Sequence, residues 1–345
     1  MPRHSRIDSP DALHHIICRG IERGEIFSDD IDRDDLVTRL GDILIETSTR
    51  CYAWALIPNH FHLLLRTGTL PIANVMQRLL TGYATKFNIR HNRHGHLFEN
   101  RYKSILCEEE PYLLELVRYI HLNPYRAGIV SSLKELQTYR YCGHSRILSL
   151  NVEPWMNVKD VLNRFGRRID DSRKAYELFI GEGVGQGKRN DLIGGGLLRS
   201  SGGWRGILTA REAGIFLKSD ERILGSNDFV EGVLHATDEK LEIIEGYRTT
   251  GIDLERLTSI VSKMLGCDEN DVAAPGRQPQ RVRARSLFCF WAVRELGVNV
   301  TTLARRFGLT QPAISLAVIR GEKMAVENGW NLKQVIDAGG NSAAR

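Results

Sequence analysis

The chain has 345 residues, 42% apolar and 26% charged, with a formal net charge of +5. That length suffices for two or three domains with sizeable cores, while the absence of any apolar run of roughly 18 residues and of a signal peptide at Met1–Arg6 speaks against a membrane span and for a cytoplasmic location. Six cysteines (Cys18, Cys51, Cys107, Cys142, Cys267, Cys289) are scattered without a CxxC pair, which argues against a thiolate zinc site and fits buried free thiols in a reducing compartment.

The first informative elements lie between Cys51 and Arg66. Two apolar strands meet at Pro58-Asn59, and alternation along the second puts His60, His62, Leu64 and Arg66 on one face and Phe61, Leu63 and Leu65 on the other. One side is expected to pack and the other to do chemistry. Two imidazoles at i and i+2 on a strand converge, and paired imidazoles suit a metal ion; the plainer reading is two polar residues on a half-buried strand.

A helix follows from Ile72 to Ile89, then Arg90-His91-Asn92-Arg93-His94-Gly95-His96, whose histidines are read as part of a basic loop before they are read as ligands. Arg78, Lys86, Arg90, Arg93, Arg101 and Lys103 alternate with Tyr83, Phe87, Phe98 and Tyr102, a mixture suited to phosphate contacts and base stacking, though some of these aromatics belong to a core. Next, Glu108-Glu109-Glu110-Pro111 opens a helix that Pro124 ends near Asn123. Tyr119 and Asn123 share a face, a phenol beside an amide oxygen able to act as a third ligand. The alternative is a core tyrosine and a C-terminal cap.

These residues resemble the REP-associated tyrosine transposases, members of the single-tyrosine HUH transposase superfamily. The likeness spans roughly residues 8 to 150 and rests on Ile57-Pro58-Asn59-His60-Phe61-His62-Leu63-Leu64, on Gly95–Ser104, and on Tyr119-Ile120-His121-Leu122-Asn123-Pro124-Tyr125-Arg126-Ala127-Gly128. It implies a ferredoxin-like domain, an antiparallel sheet with helices on one face, in which two histidines and a third polar side chain hold a divalent metal and a tyrosine attacks single-stranded DNA. By position, His60 and His62 are the implied ligands, Tyr119 the nucleophile and Asn123 the third ligand, where the wider superfamily more often has glutamine. Tyr112, two helical turns earlier, is the second choice for the nucleophile. The ligand set suits Mg²⁺ or Mn²⁺ and does not exclude Zn²⁺.

The middle of the chain is less legible. Trp155 to Ile180 reads as helical, Gly181–Lys188 as a linker or loop, and Gly194-Gly195-Gly196 with Gly202-Gly203 lacks the GxxxxGK[ST] pattern of a phosphate loop. Asp220–Val230 resembles a segment of longer relatives, with no derivable role.

Positive charge concentrates late. Residues 1–150 carry 19 Lys and Arg against 17 Asp and Glu, whereas residues 277–320 carry eight arginines against the single Glu295. There Arg285–Leu296 reads as an apolar helix, and Val300–Gly308 followed by Leu309–Val318 reads as helix, Gly-containing turn and second helix. Residues 245 to 325 resemble the duplex-binding domain of the bacterial replication initiator DnaA. A helix-turn-helix predicts Arg281, Arg283, Arg285, Arg305 and Arg306 at phosphates and Gln311 and Ser315 at base edges. A plain three-helix bundle with a solvated charged face is the alternative.

The sequence therefore predicts an α+β protein. A transposase or nuclease domain is expected over 1–150, a helical connector with Gly-rich loops over 151–244, a helix-turn-helix domain over 245–330 and a tail over 331–345. The expected activity is metal-dependent nicking and rejoining of single-stranded, hairpin-forming DNA, with duplex DNA as a second partner and the choice between monomer and homodimer undecided. A domesticated regulator without turnover and a water-activating metallohydrolase are the competing classes.

Overall fold

The structure is a computed structural model that describes residues 7, 11–99, 101–149, 153–187, 189–192, 220–274, 276 and 278–340. The glycine triplet at 194–196 and Gly202-Gly203 lie outside them. The chain divides into two compact units, residues 1–233 and 234–345.

The first unit is built on the order β1 (Leu13–Arg19), α1 (Asp30–Glu46), β2 (Arg50–Ile57), β3 (His60–Arg66), α2 (Ile72–Arg90), β4 (Lys103–Cys107) and α3 (Glu109–His121). With β5 (Ile223–Leu224), the strands form one sheet in the order β2-β3-β1-β4-β5, antiparallel except for the last pair. The first four strands thus have the ferredoxin-like arrangement. Pro58 and Asn59 make the turn between β2 and β3, and Ile17 stands opposite His62 while Arg19 stands opposite His60.

Both faces of the sheet are covered, which differs from the expectation of helices on one face only. From Phe61 to Leu65 every residue of β3 is buried, and β2 is buried from Cys51 to Ile57, so neither face can be left to water without exposing apolar surface. On the Phe61 face, Phe98 stacks edge-on against Phe61 and also meets Tyr83 of α2. On the His62 face lies α3, whose Tyr119 ring meets the histidines.

Local chemistry fixes the helix ends. Asp29 caps α1 by accepting from the Asp32 amide at 3.1 Å, and Asp32 accepts from Ser28 N at 2.8 Å. Arg90 and His91, at the end of α2, both reach Asp32, so His91 has a carboxylate partner. After α3 a single-turn α4 (Asn123–Arg126) carries Pro124 in its first turn, where no amide hydrogen is needed.

α5 (Leu133–Thr138), α6 (Gly143–Leu148), α7 (Val158–Leu162) and α8 (Ile169–Glu182) complete the helical layer, so the run from Trp155 to Ile180 is two helices. Trp155, Val158, Val161, Leu162, Tyr176, Ile180 and Leu192 are buried in the same core as β1–β4. β5 (Ile223–Leu224) pairs in parallel with β4 through Leu106 and Cys107, and Glu108 accepts from Ser226 N at 2.7 Å. The segment around residue 220 is thus a sheet edge.

The second unit follows in α9 (Asn227–Thr249), which begins in the first, then α10 (Leu254–Leu265), α11 (Glu269–Ala273), α12 (Pro279–Arg294), α13 (Val300–Phe307), α14 (Gln311–Asn328) and α15 (Leu332–Gly340). Its core centres on Leu287, Phe288, Trp291, Leu303, Phe307 and Ile314. Gly308 ends α13 in the left-handed conformation at φ +62°, and Thr310 caps α14, giving a short turn between the two helices. Gly321 allows α14 to approach α12 so closely that a Cβ there would sit 2.0 Å from the Ser286 carbonyl oxygen. No helix among the described residues is long and apolar enough to cross a membrane.

Two buried histidines, His14 and His144, set an acid limit on the first unit. Burial depresses His14 and His144 to about 4. In the unfolded chain both titrate near 6.5, so between pH 6.5 and 4 unfolding takes up protons and stability falls as pH falls. Urea midpoints are expected to drop steadily over that window, with His144→Asn reducing the proton uptake by about one.

Candidate active site

β1 and β3 place three imidazoles on one face. His62, centrally on β3, is 3% exposed, and His15, diagonal to it on β1, is fully buried. Their rings stack at 5.3 Å with 25° between planes, and His15 Nε2 lies 3.0 Å from His62 Nδ1. His60 meets His62 edge-on at 5.1 Å and places Nδ1 2.6 Å from Asn59 Oδ1. Burial holds His15 and His60 at about 4, and burial with its two imidazole neighbours takes His62 well below its usual value. All three rings are therefore neutral at pH 7, the form in which imidazole donates a lone pair.

α3 supplies the phenol. The Tyr119 ring stands edge-on to His15 at 5.9 Å and to His62 at 5.8 Å. Tyr112 lies two turns back along α3, about 10 Å nearer its N-terminus. Burial raises the Tyr119 phenol above its ordinary value, opposed by Arg126 and Arg19. The Arg126 guanidinium lies 5.5 Å from the Tyr119 ring centre and donates to the carbonyls of Tyr119 and Gly183. At pH 7 the phenol is protonated, so reaction from it requires an activating group.

Asn123, at the start of α4, is 8% exposed, and its side-chain nitrogen has no hydrogen-bond partner. A half-turn of the amide exchanges its two terminal atoms and puts an oxygen in that unpartnered place. Among the described residues no three His, Cys, Asp or Glu side chains are placed to hold a metal ion together. His60, His62 and Asn123 carry donor types, imidazole nitrogen and amide oxygen, that suit a hard divalent ion.

The sequence reading missed His15. It adjoins His14 in an otherwise apolar strand, and only the pairing of β1 with β3 tells which of the two faces His62. Arg19 was missed too; it stands beside His60 and makes no side-chain hydrogen bond or ion pair within the described residues.

In the second unit the expected DNA-contacting residues divide. Arg283, Arg305 and Gln311 are exposed and Ser315 is half-buried on α14. Arg281 pairs with Asp271 at 2.8 Å, and Arg306 pairs with Glu255 at 2.9 Å while lying over the Phe288 ring. Arg285 corrects the expectation: it is 8% exposed and donates to the carbonyls of Ala274 and Gly276, tying the turn before α12 to that helix. Arg285→Met is expected to destabilise this unit by about 2 kcal/mol, because buried carbonyls lose a charged donor. Arg305→Ala is expected to leave the unfolding free energy from urea titration within about 0.5 kcal/mol of wild type.

No curated protein matches this chain. Among solved structures, the REP-associated tyrosine transposase bound to a REP hairpin is similar at 13% identity and a TM-score of 0.37, over 45% of this chain and 89% of that one. A protein from Deinococcus radiodurans R1 described as a transposase is similar at 20% identity and a TM-score of 0.25, over 35% of this chain and 94% of that one. The family model described as transposase, IS200 like, matches residues 9–123, a stretch that runs from just before β1 to Asn123 and includes His15, His60, His62 and Tyr119. Residues 9–123 of this chain are thus similar to the transposases of the IS200-like family.

Proposed function

We propose that this protein cleaves and rejoins single-stranded, hairpin-forming DNA through a covalent bond to Tyr119. The observation that carries the reading is the edge-on packing of the Tyr119 ring against His62 and His15, with His60 beside them, on one face of the sheet. That brings a nucleophile to a pair of neutral nitrogen donors. A hydrolase that activates water has no use for the phenol.

In the reaction, Tyr119 Oη bonds to the phosphorus of a phosphodiester as the bond to the 3′ oxygen breaks. The DNA 5′ side stays on the enzyme as a phosphotyrosine, and the 3′ oxygen leaves with the proton the phenol gave up. Because one phosphoester replaces another, the reverse attack by a 3′ hydroxyl of a second end rejoins DNA without a nucleotide cofactor. His60, His62 and the Asn123 amide oxygen would hold Mg²⁺ or Mn²⁺, which would supply Lewis-acid polarisation of the phosphoryl oxygen. Arg126 sits over the phenol and favours its anionic form, and Arg19, at the His60 end of β1, is a cation available to the phosphate. The second unit adds duplex binding through Arg283, Arg305, Gln311 and Ser315, with the start of α14 in the major groove. The protein acts on DNA in the cytoplasm.

The wild-type protein, incubated with a labelled hairpin oligonucleotide and Mn²⁺, is expected to give an adduct that survives denaturation. Tyr119→Phe abolishes the adduct and retains oligonucleotide binding, whereas Tyr112→Phe keeps both; a full-strength adduct in Tyr119→Phe rejects the assignment. Removing residues 245–345 is expected to weaken duplex binding and flatten its salt dependence while sparing single-strand nicking, and equal loss of both activities would count against separable modules.

A further inference from the structure

Two hydrogen-bond chains run from the histidine pair to backbone carbonyls, and each has one consistent direction. Leu192 O can only accept, and His15 Nδ1 lies 3.4 Å from it, so His15 carries its proton on Nδ1. His15 Nε2 is then a bare lone pair. Since it lies 3.0 Å from His62 Nδ1, His62 must be the donor, which leaves His62 Nε2 unprotonated. The second chain works alike. Asn59 Nδ2 donates to Arg23 O at 3.2 Å, which turns Oδ1 toward His60; an amide oxygen only accepts, so His60 also carries its proton on Nδ1 and leaves Nε2 bare.

We infer that His15 and Asn59 are positioning residues that lock His62 and His60 in the Nδ1–H tautomer, so that both present Nε2 lone pairs on the same face as Tyr119. Free imidazole favours the other tautomer, so one such histidine can be chance while two beside each other, each held by a chain ending at a carbonyl, form a device. The His15 chain also explains why the connector matters to the site: Leu192 is fully buried and delivers the carbonyl that orients His15. That the Nε2 pair serves a divalent cation rests on the proposed function; the tautomers do not.

The full-length, metal-free protein labelled with ¹⁵N-histidine is examined at pH 7 by long-range ¹H–¹⁵N correlation, and Mn²⁺ alone is titrated by calorimetry. Wild type is expected to show His15, His60 and His62 all protonated on Nδ1. In His15→Phe, His62 is expected to shift toward Nε2–H and the Mn²⁺ dissociation constant to rise about 10- to 100-fold. His15→Gln, whose amide oxygen can accept from His62, restores part of both; Asn59→Ala acts on His60 in the same way and leaves His62 unchanged. Nε2–H tautomers for His60 and His62 in wild type overturn the inference, as does a His15→Phe protein with wild-type His62 signals and affinity. If His15→Phe fails to fold, the wild-type spectrum still decides. Nδ1–H tautomers in a protein that binds no Mn²⁺ uphold the two chains and overturn the metal-dependent reading instead.

Discussion

The antiparallel pairing of β1 with β3 is the constraint on which the site depends. It sets Ile17 against His62 and His15 against Leu64, and so brings His15 and His62 into ring contact across the strands. A slip of one residue would put His14 there instead and turn Ile16 out of the core, which the apolar packing on the Phe61 face forbids. The energy that fixes the register is therefore hydrophobic, supplied by Ile16, Phe61, Leu63 and Leu65, while its product is a polar arrangement on the opposite face.

Polar groups on that face are buried at a cost, and the structure offsets it by keeping them neutral. A charged imidazole without a counter-ion is costly in a dry interior, and the three rings lie close enough to repel one another when protonated. Remaining neutral, they exchange hydrogen bonds with each other and with Asn59 and Leu192, which satisfies them and orders them together. The same burial that removes their charge raises the Tyr119 phenol, so this environment favours nitrogen lone pairs and disfavours an anionic oxygen. Arg126 from α4 and Arg19 from the end of β1 oppose that rise of the phenol.

The second unit shows the other use of a cation in a fold. Of the arginines crowded before and along α12, Arg285 is drawn inward and donates to two carbonyls of the preceding turn, while Arg283, two residues earlier, faces out. Helical geometry accounts for the split, since residues two apart point to different sides. Charge density in a sequence thus overstates the number of side chains available to a phosphate backbone.

Much of the first unit was legible in the chain. The His60-Phe61-His62 alternation, the Pro58-Asn59 turn and the Pro111 start of α3 are local signals, decided by backbone preferences within a few residues, and each appears where expected. The Gly308 turn and the Thr310 cap are local in the same sense. What only the tertiary structure decided is non-local: that both sheet faces are covered, that residues 223–224 add a parallel edge strand, that His15 rather than His14 joins His62, that Leu192 reaches beneath the site, and that Arg285 is internal. Each of these depends on which distant segments come to lie side by side, and strand pairing and core packing, which carry no mark in the short-range pattern, settle that choice.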